Sequence, residues 1–274
     1  MSSGRKISEI LGLPKKISPL IEFLLSSDEI DAIFALYNHS ESDDEIKDAT
    51  GSALEEHIAN FDILLQKGLI HKTNGEIELI TGIDSLWALL LSAGETHIPS
   101  AEFDSATGFL RSFYSKTIKE HPHQYWLFPL REAFLPKYGS AENQDNILKI
   151  LENAKSIIQR SCRCRETFQN CLRPTDTCLV INDPKADNGE RQRVKPIDLK
   201  RAKEILRSSL RNGNVLILYR EDLDDPNARM ELHSCCSCCS VLLGAIKDSA
   251  IGQIIHVPNL LAEVNPSKCN GCAT

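Results

Sequence analysis

The chain has 274 residues, of which 42% are hydrophobic and 25% are charged, and its formal net charge is −7. This length allows two domains with real hydrophobic cores, and the composition is that of a soluble globular protein. No apolar run reaches the roughly 18 residues of a membrane-spanning helix, and the negative charge argues against a dedicated nucleic-acid-binding protein. Residues 1–16 contain no apolar signal-peptide core, so we expect a cytoplasmic protein without membrane insertion.

Residues 17–93 predict a winged-helix-like module, because three helical patterns precede a hairpin. Ser27 begins the first helix in a Ser-Asp-Glu sequence that suits a helix N-terminus. The second helix is short, over residues 43–49, and the third places apolar residues at helical spacing over residues 52–66. Asn74-Gly75 then joins two short apolar runs, which is a strong signal for a β-hairpin.

The charge of the third helix bears on nucleic-acid binding by this module. The helix carries Glu55, Glu56 and Asp62, and its single base is Lys67 at the end. A helix that faces phosphates is expected to be more basic. The sequence therefore argues against nucleic acid as a partner, and contacts with other proteins suit the module better.

Residues 94–160 are predicted to form a helical connector. His121 and His123 precede an aromatic segment, and we interpret them as exposed residues beside a packing segment, with metal ligation as the alternative. Residues 143–160 place apolar side chains on one face of a helix. This helix leads directly to the first cysteine.

Residues 161–274 contain all the cysteines, and within them a helix over residues 196–211 precedes a strand over residues 215–219. Pro196 suits the first turn of a helix, and Asn212-Gly213 suits its end. The strand is short and rich in apolar residues. The predicted fold class is therefore α+β, with a winged-helix-like module, a helical connector and a cysteine-rich α/β domain that binds metal clusters.

The ten cysteines all lie between Cys162 and Cys272, and this clustering is the most informative feature of the sequence. Disulfides are rare in a reducing compartment, and clustered thiols there most often bind metal. The first four are separated by gaps of one, six and six residues, and four thiolates suit either a 4Fe–4S cluster or a tetrahedral zinc ion. These four are Cys162, Cys164, Cys171 and Cys178.

Three arginines, Arg163, Arg165 and Arg173, lie among these thiols. Their guanidinium groups either stabilise the negative charge of a thiolate cluster and raise its potential, or they are ordinary solvated charges. The sequence leaves both interpretations open.

A second group places four cysteines within five residues, at Cys235, Cys236, Cys238 and Cys239. Adjacent side chains point in different directions, so all four are not expected to bind one ion. Either two of them join the first group, or two clusters share this loop. His233 precedes the loop and is interpreted as a surface histidine, with iron ligation as the alternative.

The last pair, Cys269 and Cys272, follows Pro266 and reads as the first half of a bacterial ferredoxin motif. The sequence stops two residues later, so we expect either a truncated motif over residues 266–274 or a pair that acts alone or with the second group. No glycine-rich phosphate loop and no catalytic motif occurs. We therefore predict no catalytic residue, and no cofactor-binding residue beyond the metal ligands.

Several motifs occur together in a characteristic order. They are Cys162-Arg-Cys164-Arg165, Cys171-Leu-Arg-Pro174-Thr-Asp176-Thr-Cys178, the helix after Pro196, Cys235-Cys236-Ser237-Cys238-Cys239, and Pro266-x-x-Cys269-x-x-Cys272. In this order they resemble a family of uncharacterised ferredoxin-like 4Fe–4S proteins of anaerobic bacteria and archaea. The chain differs at His233 and Ser240, where that family often has cysteine. The resemblance implies electron transfer by 4Fe–4S clusters.

The cysteine pattern predicts an iron–sulfur protein with one or two 4Fe–4S clusters. The resemblance implies that it transfers electrons, as a redox partner of other proteins or as a subunit, in anaerobic metabolism. All ten cysteines are candidate metal ligands. Two alternatives stay open. The first is a cluster- or metal-responsive transcriptional regulator that uses the winged-helix-like module, and the second is a zinc-stabilised interaction protein.

Overall fold

A computed structural model of the chain describes residues 3–40, 58–73, 76–94, 96–128, 142–183, 194–248, 266–267 and 269. It combines helices with two antiparallel sheets, in agreement with the predicted α+β class. None of the helices within these ranges is long and apolar enough to cross a membrane.

The α-helices of the described ranges lie in both halves of the chain. They are α1 (Ser3–Ile10), α2 (Ser18–Leu24), α3 (Ser27–Ser40), α4 (Ile58–Lys67), α5 (Ile83–Ser92), α6 (Ser100–Glu120), α7 (Glu142–Glu152), α8 (Arg163–Phe168), α9 (Leu199–Arg211) and α10 (Val241–Asp248).

The strands form a two-stranded hairpin and a six-stranded sheet. They are β1 (Ile70–Thr73), β2 (Glu76–Leu79), β3 (Tyr125–Phe128), β4 (Ile157–Arg160), β5 (Cys178–Ile181), β6 (Val194–Pro196), β7 (Val215–Arg220) and β8 (Met230–Cys235). The hairpin joins β1 to β2, and the order of the large sheet is β3-β7-β8-β5-β4-β6. All of its neighbouring strands are antiparallel.

The N-terminal half is a helical unit that carries the hairpin. Helices α1 to α6 share one apolar core, in which Ile7, Leu64 and Leu89 are fully buried. The hairpin pairs Ile70 with Leu79, as the sequence predicts, whereas its turn at 74–75 lies outside the described residues. The predicted helix at 43–49 also lies outside them. Four helices of the described ranges, α1 to α4, precede the hairpin, where the sequence predicted three, and a winged-helix identity stays a prediction.

The large sheet has two faces that pack on different helices, because side chains alternate along each strand. One face carries Leu179, Leu216 and Leu232 into a core with α7 and α9. The opposite face carries Ile217 and Cys235 towards α6 and α10. We call this second side the α6 face, and the thiols described below lie at one of its ends.

Two predicted helices begin or end at different residues than expected. The helix predicted over 143–160 ends at Glu152, and Ile157–Arg160 form strand β4 instead. The run Ile157-Ile158 is β-branched and pairs with β5 on one side and β6 on the other, so tertiary pairing overrides the helical pattern. The sheet also takes β3 and β4 from before residue 161, and it therefore crosses the boundary predicted between the connector and the cysteine-rich domain.

The helix predicted over 196–211 begins later, at Leu199. Pro196 is the last residue of β6, which is an edge strand, where a missing backbone N–H removes no ladder bond. Asp198 caps the helix, because its carboxylate accepts a hydrogen bond of 2.7 Å from the backbone N–H of Arg201. The strand predicted from Val215 is confirmed as β7.

Candidate metal centre

Four cysteines from two loops bring their sulfur atoms together at the end of the sheet. All of these sulfurs lie within 4.8 Å of one another. The Sγ atom of Cys171 is 3.9 Å from that of Cys236 and 3.8 Å from that of Cys239. The Sγ atoms of Cys238 and Cys239 are 3.9 Å apart. We call Cys171, Cys236, Cys238 and Cys239 the outer thiol group.

The spacing of the outer thiol group fits a single tetrahedral ion. Four sulfurs at about 2.3 Å from one ion are separated by about 3.8 Å along the edges of the tetrahedron. The measured contacts are far longer than a disulfide bond, and all four cysteines are free. In a 4Fe–4S cubane each thiolate binds a different iron at a different corner, so its sulfurs lie further apart.

The loop after α8 places Cys171. Helix α8 ends at Phe168, and Gln169 adopts a left-handed conformation with φ of 49°, which turns the chain back. The side-chain amide of Asn170 then donates a hydrogen bond of 3.1 Å to the carbonyl oxygen of Cys238. This contact ties the loop of Cys171 to the loop that carries the other three ligands.

The turn after β8 places the other three sulfurs. The N–H of Ser240 donates to the carbonyl oxygen of Cys236 at 3.1 Å, so the residues between them form one tight turn. The hydroxyl of Ser240 accepts a hydrogen bond of 3.1 Å from the N–H of Leu243 in the first turn of α10. Cys236 and Cys239 are buried, whereas Cys238 is exposed.

A buried arginine lies behind the outer thiol group. Only 2% of Arg165 is exposed, and its guanidinium donates hydrogen bonds to Pro174 O, Thr177 Oγ1 and Ser234 O, over 2.6–2.7 Å. All three acceptors are neutral, and Nε of Arg165 has no hydrogen-bond partner. A buried charge is costly without an anionic partner. The anions that this guanidinium can face are thiolates, among them Cys162 and Cys236.

The environment favours the thiolate form of one outer cysteine. Burial raises the pKa of Cys236, but hydrogen bonds from Arg165 and Cys238 and from the backbone N–H of Cys239 lower it to about 6. Burial raises the pKa of Cys239, whose sulfur also accepts a hydrogen bond from the backbone of Asn170. N–H donors directed at sulfur are the kind of partner that stabilises metal-bound thiolates.

Four other cysteines lie further inside, at the same end of the sheet. Cys162, Cys178 and Cys235 are buried and Cys164 is partly buried. The Cys162 thiol interacts with those of Cys164 and Cys178, and the first of these interactions raises the pKa of Cys162 to about 11. Cys178 and Cys162 in turn act electrostatically on Cys235. We call Cys162, Cys164, Cys178 and Cys235 the inner thiol group.

An ionic network adjoins the inner thiol group on the α6 face. The carboxylate of Glu231 accepts hydrogen bonds of 3.2 and 2.6 Å from the two terminal nitrogens of Arg160, and it also pairs with Arg229. His233 Nε2 lies 3.4 Å from the same carboxylate. Burial raises the pKa of Glu231, but the charges of Arg160, His233 and Arg229 bring it well below its usual range. His233 also interacts with the Cys178 thiol.

The structure divides the first four predicted ligands between the two groups. Cys171 joins the outer group, and Cys162, Cys164 and Cys178 belong to the inner one. The loop of the second predicted group is divided as well, because Cys235 is directed onto the sheet face and its neighbour Cys236 is not. The sequence predicted that two cysteines of this loop join the first group or that two clusters share the loop, whereas the structure brings three of them together with Cys171.

The other predicted residues are placed as follows. Arg163 pairs with Asp84 of α5 at the surface, which supports the solvated interpretation for this arginine, whereas Arg165 lies among the thiols. His121 and His123 are exposed, as we interpret them from the sequence. Cys269 is exposed, and Cys272 lies outside the described residues.

Glu231 and Asn170 were not predicted as parts of the site. The sequence Met-Glu-Leu-His-Ser-Cys at 230–235 alternates apolar with polar residues, which is the pattern of a half-buried strand. This pattern places Glu231, His233 and Cys235 on one face of the strand. It could have been used to predict that these three side chains lie close together. No sequence pattern pointed to Asn170, because its role depends on a contact with a loop 68 residues away.

No protein-family model, no curated protein and no solved structure matches this chain. The class of the protein is therefore defined by the site itself. A group of four cysteines, with sulfurs at the spacing of a tetrahedral ion, forms a candidate metal centre.

Proposed function

We propose that this chain is an electron-transfer protein in which the outer thiol group binds one iron ion. The observation that carries the proposal is the spacing of the four sulfurs, all within 4.8 Å of one another. A tetrahedral set of four thiolates suits zinc or iron. Iron bound in this way can accept one electron, changing from the ferric to the ferrous state, and pass that electron on.

The buried guanidinium of Arg165 favours iron over a purely structural ion. Each electron added to an iron centre adds one negative charge, which a nearby buried cation stabilises. Arg165 is 2% exposed and acts on the Cys236 ligand through a hydrogen bond. Hydrogen bonds to ligand sulfurs and nearby charge are the means by which proteins set the potential of such centres. A zinc ion has no redox state for the guanidinium to adjust.

The exposure of Cys238 supports exchange of electrons with a partner protein. Cys236 and Cys239 are buried, whereas Cys238 is exposed. A redox partner can therefore approach within contact distance of a ligand without opening the fold. The partner class that we propose is another redox protein, as the sequence predicts.

The test compares metal content and redox behaviour of the full chain and one ligand variant, both purified anaerobically from iron-supplied cells. We expect Cys238→Ser to contain one iron per chain fewer than the wild type and to lose one reversible one-electron couple in voltammetry. Cys238 is exposed, so serine at this position should not disturb the fold. The matched control is Ser237→Ala, which alters an exposed residue in the same turn and should leave metal content and potential unchanged.

The results distinguish iron from zinc. A loss of one zinc rather than one iron in Cys238→Ser, with no change in the voltammogram, overturns electron transfer at this site. It supports the zinc-stabilised protein instead, which the sulfur spacing favours equally on geometric grounds. Equal metal content in Cys238→Ser and wild type overturns the outer thiol group as a metal site.

A further inference from the structure

The inner thiol group has the features of a second site, independent of the ion at the outer group. Three of its four cysteines are nearly inaccessible: Cys162 is 8% exposed, Cys178 is 4% exposed and Cys235 is 7% exposed. All four members are free thiols. A single buried cysteine often serves as a small apolar residue, but four cysteines near one end of one sheet exceed what packing requires.

Three separate segments bring the inner thiols together. Cys162 and Cys164 follow β4 and lie at the start of α8. The backbone N–H of Cys162 donates a hydrogen bond of 2.8 Å to the carbonyl oxygen of Thr175. Cys178 opens β5 opposite Arg160 of β4. Cys235 closes β8 opposite Val215. Strand register therefore fixes the positions of Cys178 and Cys235, and the hydrogen bond to Thr175 fixes that of Cys162.

The inner thiols are spread more widely than a single ion requires. Among the described residues, the set of three or more ligating atoms that all lie within 4.8 Å of one another is the outer group. The inner thiols are described and do not form such a set, although Cys162 interacts with Cys164 and with Cys178. A wider set of four sulfurs suits a multi-iron cluster, because each thiolate binds a separate iron.

The charges around the inner group support bound thiolates. Arg165 carries a buried positive charge, and the three oxygen atoms that accept hydrogen bonds from it, on Pro174, Thr177 and Ser234, are neutral. Cys162 and Cys178 are among the groups that act electrostatically on it. A cluster with four thiolates carries net negative charge, which the buried charge of Arg165 would balance. His233 interacts with the Cys178 thiol as well.

We propose that the inner thiol group binds an iron–sulfur cluster through Cys162, Cys164, Cys178 and Cys235. The chain would then hold two metal centres, an ion at the outer group and a cluster at the inner group. Cys236, a ligand of the ion, directly follows Cys235, a ligand of the cluster, in the sequence. Arg165 interacts electrostatically with thiols of both centres, namely Cys162 and Cys178 of the inner group and Cys236 of the outer group.

The test uses the full chain reconstituted anaerobically with ferrous iron and sulfide, and it measures iron and acid-labile sulfide per chain. We expect the wild type to contain about four sulfides. Cys178→Ser and Cys164→Ser should lose this sulfide and the iron that accompanies it. Both should keep the single ion of the outer group. Cys238→Ser should show the reverse, with sulfide retained and one ion lost.

Controls keep the result interpretable where a variant folds poorly. Ser161→Ala changes the residue beside Cys162 without removing a thiol, and it should retain the wild-type sulfide content. Cys164 is only partly buried, so its replacement by serine should disturb the packing less than that of the buried Cys178. Cys164→Ser therefore tests the inner group if Cys178→Ser fails to fold. Circular dichroism reports the fold of each variant.

Two results overturn this proposal. One is a wild type without sulfide, and the other is folded Cys164→Ser and Cys178→Ser proteins with wild-type sulfide. Neither result affects the outer ion, whose presence is read from the metal that Cys238→Ser loses. Failure of one site is therefore distinguishable from failure of the other.

Discussion

The outer and inner thiol groups are built on different kinds of backbone. The outer group lies on two loops, has one exposed sulfur, and holds all four sulfurs within 4.8 Å. The inner group lies on strand ends and the start of α8, is almost wholly buried, and is more widely spread. The difference shows that neighbouring cysteines in a sequence need not share a site.

Cys235 and Cys236 show most directly how the two groups separate. Cys235 is the last residue of β8, so the strand's alternation directs its side chain to the α6 face. Cys236 opens the turn that follows, and the turn directs it towards Cys171. The point where regular strand pairing ends is therefore the point where the cysteines change groups.

The variant with the largest expected effect removes the carboxylate of the ionic network beside the inner thiol group. Glu231→Gln leaves Arg160 and Arg229 without their carboxylate in a position that is 15% exposed. Removal of one partner from a buried ion pair costs about 3–5 kcal/mol, so we expect a loss of that order in urea unfolding. Glu221→Gln, on an exposed turn, is the control and should change stability by less than about 0.5 kcal/mol. A small loss in Glu231→Gln would mean that the inner group does not depend on this network.

The same pair of proteins has a characteristic pH dependence. In the folded state the arginines and His233 lower the pKa of Glu231 well below its ordinary 4.5, so its ionised form contributes stability above that pH. This contribution is lost as the pH falls from 4.5 towards the folded-state pKa. The stability difference between wild type and Glu231→Gln should therefore be constant near neutral pH and shrink below about pH 4.5. A difference that grows on acidification would contradict the ion-pair assignment.

A smaller effect is expected where the outer turn joins α10. Ser240→Ala removes the hydroxyl that accepts the N–H of Leu243 at 3.1 Å, and loss of such a cap costs about 1 kcal/mol. Thermal unfolding of the metal-loaded protein measures this loss. Ser237→Ala, in the same turn but exposed, serves as the comparison and should be neutral. Equal melting temperatures for the two variants would show that the cap does not support the outer turn.

The smallest effect concerns the loop that delivers Cys171. Gln169 has a φ of 49°, which costs a residue with a side chain about 1 kcal/mol relative to glycine, so Gln169→Gly should stabilise the protein slightly. The Gln169 side chain makes an exposed hydrogen bond of 3.2 Å, from Nε2 to the carbonyl oxygen of Glu166. Asn182 has a φ of 55°, and its side chain accepts a partly buried hydrogen bond of 2.8 Å from the N–H of Lys155. Asn182→Gly should therefore not gain stability, and chemical denaturation of both variants gives the contrast. A gain in stability for Asn182→Gly but not for Gln169→Gly would contradict this explanation of the two positions.

The sequence by itself determined the local features of this protein. The β1–β2 hairpin, strand β7 and most of α9 follow from turn residues and short-range periodicity, and the concentration of thiols after residue 161 follows from composition. The exposure of His121 and His123 was also predictable. Each of these depends on residues that are close together in the chain.

The tertiary structure decided which thiols share a site. Strand β4 replaces the end of a predicted helix because it gains hydrogen bonds from β5 and β6, and that change positions Cys162. The contact of Cys171 with Cys236 spans 65 residues, and the burial of Arg165 depends in part on the carbonyl of Ser234, 69 residues away. Such contacts are set by strand register and packing between segments, which local sequence patterns do not encode.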